Sequence, residues 1–220
     1  MGNCDRYRQL SSNLSRIRFQ QGHRCISMDT SQLTIAVLMY FVLPVWLAAG
    51  FADYLCHRAS NIATTSGAKE SILHLLQFAE MAVAVLAALF LEINALVLLI
   101  MLICFVLHEA TALWDVSYAS ATREVTPIEQ HVHSFLEMMP LMGFVLIAVL
   151  NWEQFLALFG LGNEPARFTV TIRAGPPSWP YIVVMMGLVL LFEVLPYLEE
   201  LLRGLRANNG ALVPQRRKPK

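Results

Sequence analysis

The chain has 220 residues, of which 56% are hydrophobic and 15% are charged, and its mean hydropathy is +0.53. A soluble domain of this length needs fewer apolar residues to fill one core, so the composition predicts a multi-pass membrane protein. Basic and acidic residues, 16 of each, give a formal net charge of zero. This balance excludes the strongly basic surface that is typical of a nucleic-acid-binding protein.

Five transmembrane helices are predicted from the apolar segments. Roughly 20 apolar residues, each adding about 1.5 Å of rise, cross the hydrocarbon core of a bilayer. The segment 71–107 is apolar for much longer than one crossing requires, and the polar tripeptide at 92–94 predicts a tight turn between two helices. The remaining spans are expected at 31–56, at a segment that ends near residue 150, and at 180–202.

Residues 31–203 should therefore form the transmembrane domain of an all-α membrane protein, with a basic extension at 1–30 and a basic tail at 204–220. Met28 directly precedes the first span, so the residues before it are a candidate for a misassigned translation start. Between the last two spans, "FTVTIR" alternates as a short strand does, and the prolines and glycines around it predict a structured external loop.

Titratable side chains are concentrated in one half of the predicted bundle. A charged group inside a membrane costs roughly 2.5–3.5 kcal/mol at the centre, so such groups are functional candidates. Alternating ends of consecutive antiparallel helices meet on the same side of the membrane. That side receives 13 titratable groups, which are Asp53, His57, Glu70, His74, Glu80, His108, Glu109, Asp115, Glu129, His131, His133, Glu137 and Glu193.

The spacing of these groups favours a shared metal site. Residues four or seven apart lie on one helical face, and three helices carry a carboxylate four residues before a histidine. Imidazole and carboxylate ligands from facing helices are how a helical bundle holds two transition-metal ions. The predicted metal ligands are Asp53, His57, Glu70, His74, His108, Asp115, Glu129 and His133, and the predicted catalytic groups are Glu80 and Glu137.

Over residues 53–137 the architecture resembles the integral-membrane di-iron hydroxylases and desaturases, whose histidine clusters lie at the cytoplasmic ends of hydrophobic helices. Those families carry HxxxH and HxxHH boxes, whereas the nearest text here is "HVH" at 131–133, so carboxylates would replace the missing imidazoles. The resemblance implies two iron ions, oxygen chemistry on a lipid or other apolar substrate, and a redox partner whose identity it leaves open.

Other interpretations of the same residues remain. Zinc or manganese suits the ligand set as well, and zinc would indicate a membrane hydrolase. His74 and His133 could instead ligate a haem iron in an electron carrier, or the buried acids and histidines could form the relay of a proton-coupled transporter. Without any metal, Thr126 and Glu129 are explained as a capping box at the start of the fourth span.

The orientation follows from the basic residues, because short loops rich in lysine and arginine stay on the cytoplasmic side. The half that holds the titratable groups also carries most of the basic residues outside the N-terminal extension. We expect this half to face the cytoplasm in an inner or plasma membrane, with the bilayer as the main partner and a lipid as the candidate substrate. The basic residues concerned are Arg58, Lys69, Arg123, Arg203 and Arg206.

Overall fold

A computed structural model describes residues 29–175 and 177–214 of the chain. The predicted start at Met28, the extension before it and the last six residues of the predicted tail lie outside the described residues. The candidate site lies within the compact unit that begins at Ala36. The described residues are mostly helical and contain no β-sheet, so the prediction of an all-α membrane protein is confirmed.

Five of the helices are long and apolar enough to cross a membrane, which agrees with the five predicted spans. Two shorter helices lie between them. The last long helix continues into the predicted C-terminal tail and ends at residue 207. In chain order the helices are α1 (Thr30–Ser60), α2 (Ile62–Thr65), α3 (Ala68–Phe90), α4 (Ala95–Thr122), α5 (Pro127–Leu150), α6 (Trp152–Leu158) and α7 (Trp179–Ala207).

The polar tripeptide at 92–94 forms the predicted turn between α3 and α4. Asn94 caps α4, because its side-chain oxygen accepts hydrogen bonds from the backbone N–H of Leu96 at 3.0 Å and of Val97 at 3.2 Å. Its amide nitrogen donates to the carbonyl of Thr169 at 2.7 Å. Asn94 therefore both begins α4 and holds the α6–α7 loop against the turn.

The loop segment "FTVTIR" pairs much less than its alternation suggests. Its contribution to β structure is a single antiparallel bridge between Leu91 and Ile172. Backbone hydrogen bonds from Glu92 to Thr171 and from Arg173 to Phe90, both at 2.9 Å, fasten the segment to the α3–α4 turn. A strand needs a partner along its length, and the turn offers only a few residues.

The apolar core lies in the half of the bundle that holds this turn. It is formed where the second half of α3 and the first half of α4 pack against α5, and its buried members are Met81, Ala84, Val97, Met101, Cys104 and Phe144. Large apolar residues such as Val83 and Val106 are more than half exposed on the outer faces. Such outer faces are what helices present to lipid. The core and the titratable groups therefore occupy opposite halves of the bundle.

Replacing Asn94 with alanine should lower stability, because two N–H groups of α4 lose their cap and the loop loses its anchor. We expect a loss of about 1–2 kcal/mol, measured by thermal unfolding in detergent. Glu92→Ala, at the exposed start of the same turn, is the matched control and should stay within about 0.5 kcal/mol of the wild type. Equal effects of the two variants would contradict the assigned capping role.

Candidate metal centre

Three histidines and five carboxylates from all five long helices meet near one end of the bundle. Seven of the eight residues are buried with 6% or less of their surface exposed, and the eighth, His133, has a side-chain exposure of 13%. We call this group the candidate metal centre. Its members are His57, His74, His133, Asp53, Glu70, Asp115, Glu129 and Glu200.

Three of the helices contribute a carboxylate and a histidine spaced four residues apart, as the sequence predicts. Helix α5 begins immediately before its pair, with Pro127 at the first position and the Thr126 hydroxyl accepting a hydrogen bond from the Glu129 N–H at 3.2 Å. The capping box is only half formed, since the Glu129 carboxylate binds Arg123 instead of returning to residue 126. The pairs lie on α1 (Asp53 and His57), α3 (Glu70 and His74) and α5 (Glu129 and His133).

Helix α7 reaches the centre because a glycine lets it approach α3 closely. A Cβ at Gly204 would lie 3.0 Å from the backbone nitrogen of Ala68, at the start of α3. The Asn208 side chain then donates to the carbonyl of Ala63 at 2.8 Å. This contact holds Glu200, one helical turn earlier on α7, between the histidines of α1 and α3.

The imidazole of His57 contacts four carboxylates. Its Nε2 lies 3.4 Å from Asp53 Oδ2, 3.5 Å from Glu129 Oε1 and 3.8 Å from Glu70 Oε1. Its Nδ1 lies 3.2 Å from Glu200 Oε2 and forms a hydrogen bond there. With Nδ1 oriented by Glu200, the Nε2 lone pair is free to face the other three carboxylates.

A second set of contacts surrounds His74. Its Nε2 lies 2.8 Å from Asp115 Oδ2, and its ring stacks on that of His57 with centroids 4.5 Å apart. The Asp53 carboxylate connects the two sets, since its Oδ2 is 3.4 Å from His57 and 4.0 Å from His74, while its Oδ1 is 3.2 Å from His133 Nε2. Asp53 is therefore placed as a bridging group.

The candidate metal centre contains groups that could hold a metal ion. Several buried nitrogen and oxygen atoms have no hydrogen-bond partner among the described residues, at Asp53, His57, Asp115 and Glu200. Buried polar atoms are normally paired, so each unpaired one requires a physical cause. Ligands about 2.1 Å from a metal ion lie roughly 3–3.5 Å from one another, which matches the spacing of the atoms around His57.

Three overlapping sets of residues could each hold a metal ion, because the ligand atoms within each set lie no more than 4.8 Å apart. His57 and His74 each belong to two sets, and so does Glu70. Of these shared residues, Glu70 alone is a carboxylate, the ligand type that can bridge two adjacent ions. The sets are Asp53, His57, His74 and His133; His57, Glu70 and Glu129; and Glu70, His74 and Asp115.

Arg123, which follows α4, binds two of the carboxylates. Its Nη2 donates to Glu70 Oε1 at 2.5 Å and to Glu129 Oε1, and its Nη1 donates to Glu129 Oε2 at 3.0 Å. Burial lowers the pKa of the guanidinium, but the hydrogen bonds and charges of Glu129 and Glu70 outweigh burial and raise the pKa above its ordinary value. Arg123 is therefore a permanent cation at the edge of the centre.

The negative charge of the centre requires compensation by cations or protons. Five carboxylates and the single guanidinium of Arg123 leave four negative charges when the imidazoles are neutral. Uncompensated charges in a buried, low-dielectric site cost several kcal/mol each. Bound metal cations, or protons on the imidazoles, would supply the missing positive charge.

Seven of the eight predicted ligands lie in the candidate metal centre, and His108 does not. On α4 His108 precedes Asp115 by seven residues, which places it on the same face but roughly 10 Å further along the helix. There it lines a cavity together with His74.

The two predicted catalytic glutamates also lie outside the three ligand sets. Glu80 accepts a hydrogen bond from the Thr111 hydroxyl at 2.9 Å, and Glu137 is half-buried on α5. Six residues separate Glu80 from His74, a rotation of roughly 240° about α3. Lying in the same half of the bundle therefore does not bring Glu80 and Glu137 to the metal ligands.

Sequence reasoning missed Glu200 and Tyr197 on α7. The Tyr197 hydroxyl donates to Asp53 Oδ2 at 3.2 Å and to the carbonyl of Gly50 at 2.9 Å. Both residues share a helical face with Glu193, at spacings of four and seven residues. That repeat, E-x3-Y-x2-E, is the signal that could have identified them.

No protein-family model, curated protein or solved structure matches the chain. The fold alone does not specify an activity, because one fold supports many functions. A function for this chain therefore has to come from the chemistry of the site itself.

Arg123→Gln should destabilise the protein strongly, because Glu70 and Glu129 would lose their buried counter-charge. The expected loss is about 3–5 kcal/mol, measured by thermal unfolding in detergent. Arg58→Gln is the matched control. Arg58 pairs with Glu199 at 3.1 Å, but both side chains are nearly half exposed, so its loss should cost at most about 1 kcal/mol. A loss of similar size in both variants would contradict the proposed counter-charge role.

Proposed function

We propose that this chain is a membrane-embedded metalloenzyme whose candidate metal centre holds two divalent transition-metal ions and acts on a lipid or other apolar substrate. One observation carries the proposal. Imidazole and carboxylate groups from five transmembrane helices converge, and several of their buried atoms have no hydrogen-bond partner among the described residues, in a protein region where unpaired charge is costly.

Iron is the favoured metal. Helical bundles that bind two iron or manganese ions use carboxylates from some helices and carboxylate–histidine pairs from others. Here α4 and α7 supply a carboxylate each, and α1, α3 and α5 supply the pairs. The resemblance to the integral-membrane di-iron hydroxylases and desaturases supports the same assignment. Iron at this site would supply oxygen activation, with electrons from a separate reductant.

The chain's own residues have distinct roles in this proposal. Glu200 orients the His57 ring through its Nδ1, and Asp53 connects the environments of the three histidines. Arg123 neutralises part of the negative charge and connects α3 to α5 through Glu70 and Glu129. With the basic residues of the same half retained inside, the centre faces the cytoplasm.

A zinc-dependent membrane hydrolase is the second candidate. One ligand set combines the imidazoles of His57, His74 and His133 with the Asp53 carboxylate, and three protein nitrogens with an oxygen ligand suit zinc. Zinc would supply an activated water for hydrolysis. The haem interpretation is less favourable, because Asp53 contacts both His74 and His133 and occupies the space that a porphyrin between them would need.

Metal analysis of the purified wild-type protein tests the proposal and its alternatives. We expect about two iron ions per chain after expression in iron-supplemented medium, measured by inductively coupled plasma mass spectrometry with an optical spectrum. One zinc ion per chain would favour the hydrolase. If the protein carries no metal and takes none up, the metalloenzyme proposal is wrong, and a proton relay among these buried acids becomes the better explanation.

His133→Ala should lose most of the bound metal, because His133 contributes an imidazole to one ligand set. His131→Ala is the matched control on the same helix, since His131 is exposed and its ring packs against Phe135 at 5.4 Å. Both variants should insert into the membrane normally. Retention of full metal content by His133→Ala would remove His133 from the ligand set.

Glu200→Gln should weaken metal binding about 10- to 100-fold, the usual effect of removing a group that orients a ligand histidine. The carboxamide keeps the size of the side chain but lacks the charge that favours one orientation of His57. Glu199→Gln, at the neighbouring exposed position, should leave metal affinity unchanged. Metal affinity is measured by competition with a chelator, and equal affinities in the two variants would exclude the proposed role of Glu200.

A further inference from the structure

A cavity of about 330 Å³ lies beside the candidate metal centre. Its walls are mainly apolar side chains of α1, α3 and α7, including Leu47, Met81 and Met185. Small-molecule sites in proteins typically combine apolar walls with a few polar groups that fix the orientation of the ligand. The polar side chains here, apart from the indole of Trp46, are His74, Gln77, His108, Glu193 and Tyr197.

The polar and apolar groups are sorted along the helices. On α3 the lining runs from His74 at the candidate metal centre to Leu86, twelve residues or roughly 18 Å further along the helix. On α7 it runs from Tyr197 to Met185 in the same direction. The cavity is therefore elongated along the helices, with a polar end at the centre and an apolar end deep in the membrane.

Two residues connect the cavity wall to the candidate metal centre. One is a member of the centre, and the other forms a hydrogen bond with a member. His74 lies 2.8 Å from Asp115 and Tyr197 donates to Asp53 at 3.2 Å, and both side chains line the cavity. A ligand that fills the cavity would place its polar end directly against these two residues. The cavity is thus positioned to present one end of an elongated molecule to the centre.

The polar end has unused hydrogen-bonding capacity. Gln77 Nε2 and Glu193 Oε1 are buried and have no hydrogen-bond partner among the described residues. The Glu193 carboxylate packs against Gly50, where an added Cβ would force it to shift. These donors and acceptors suit an oxygen function such as a hydroxyl or carboxyl group.

The size and the opening of the cavity limit the ligand further. A volume near 330 Å³ is at the small end of the range for ligand pockets, which suits one hydrocarbon chain and is too small for a diacyl lipid. Leu86 lines the cavity and is 43% exposed on the outer face of an apolar span. The cavity therefore has an edge at the lipid-facing surface, through which a chain could enter from the bilayer.

We propose that this cavity binds a single-chain lipid whose oxygen-bearing end lies at His74, Gln77, His108, Glu193 and Tyr197 and whose chain extends along α3 toward Leu86. The role of this lipid as the substrate rests on the proposed metalloenzyme function. Binding of the lipid does not depend on that function, because the cavity is formed by the protein itself.

The test uses the full-length protein in nanodiscs of diacyl phosphatidylcholine, with tritiated palmitate and tritiated hexadecanol as probes. We expect saturable binding of at least one probe at about one per chain, and the comparison of the two identifies the preferred end group. Ala82→Phe, which fills the cavity from α3, should weaken binding at least tenfold. Val83→Phe, the neighbouring residue that is 54% exposed to the outside, should bind as the wild type does.

A second pair of variants covers the case in which Ala82→Phe fails to fold. Val189→Phe fills the cavity from α7, and Val184→Phe, 58% exposed on the same helix, is its control. Absence of saturable binding by both probes, or equal binding in cavity and control variants, would overturn the proposal. Metal content is measured in the same samples. A metal-free protein that still binds a lipid probe in the cavity would support this site and refute the metalloenzyme function.

Discussion

The need to neutralise the five buried carboxylates of the candidate metal centre is the constraint on which the rest of this structure depends. Arg123 compensates part of that charge through Glu70 and Glu129, and the remaining four negative charges require cations or protons. Features of the backbone and of helix packing hold the groups of the centre in place. Gly204 lets α7 approach α3, and the Thr126 cap begins α5 immediately before its ligand pair.

The parts of this protein that depend on one helix at a time were predictable from sequence. Length and hydropathy predicted the spans, and the four-residue spacing placed Asp53 with His57 and Glu70 with His74 on common faces. The parts that depend on how helices rotate against one another were not. His108 lies too far along α4 from the centre, and Glu80 is rotated away from His74 around α3. Glu200 resembles its exposed neighbour Glu199 until α7 is packed against α1 and α3.

The apolar core and the titratable groups lie in different halves of the bundle, and the two halves have different roles. Around Met101 and Phe144, α3, α4 and α5 form a close-packed core that is fastened by Asn94 and the α6–α7 loop. The other half contains unpaired polar atoms and an adjoining cavity, which cost stability unless a ligand fills or binds them. The apolar half can thus supply the stability that an unsaturated site beside it requires.

Departures from regular helix geometry occur beside this cavity. Helices α1 and α7 contain π-helical segments at Leu38–Val42 and Leu190–Val194, each shortly before a proline whose ring crowds the carbonyl four residues earlier. In a regular α-helix, Met185 and Tyr197 would point in directions roughly 120° apart, but the extra residue of a π turn reduces this to about 20°. The π segment of α7 therefore lets one helix face line the apolar end of the cavity and still direct Tyr197 and Glu200 into the candidate metal centre.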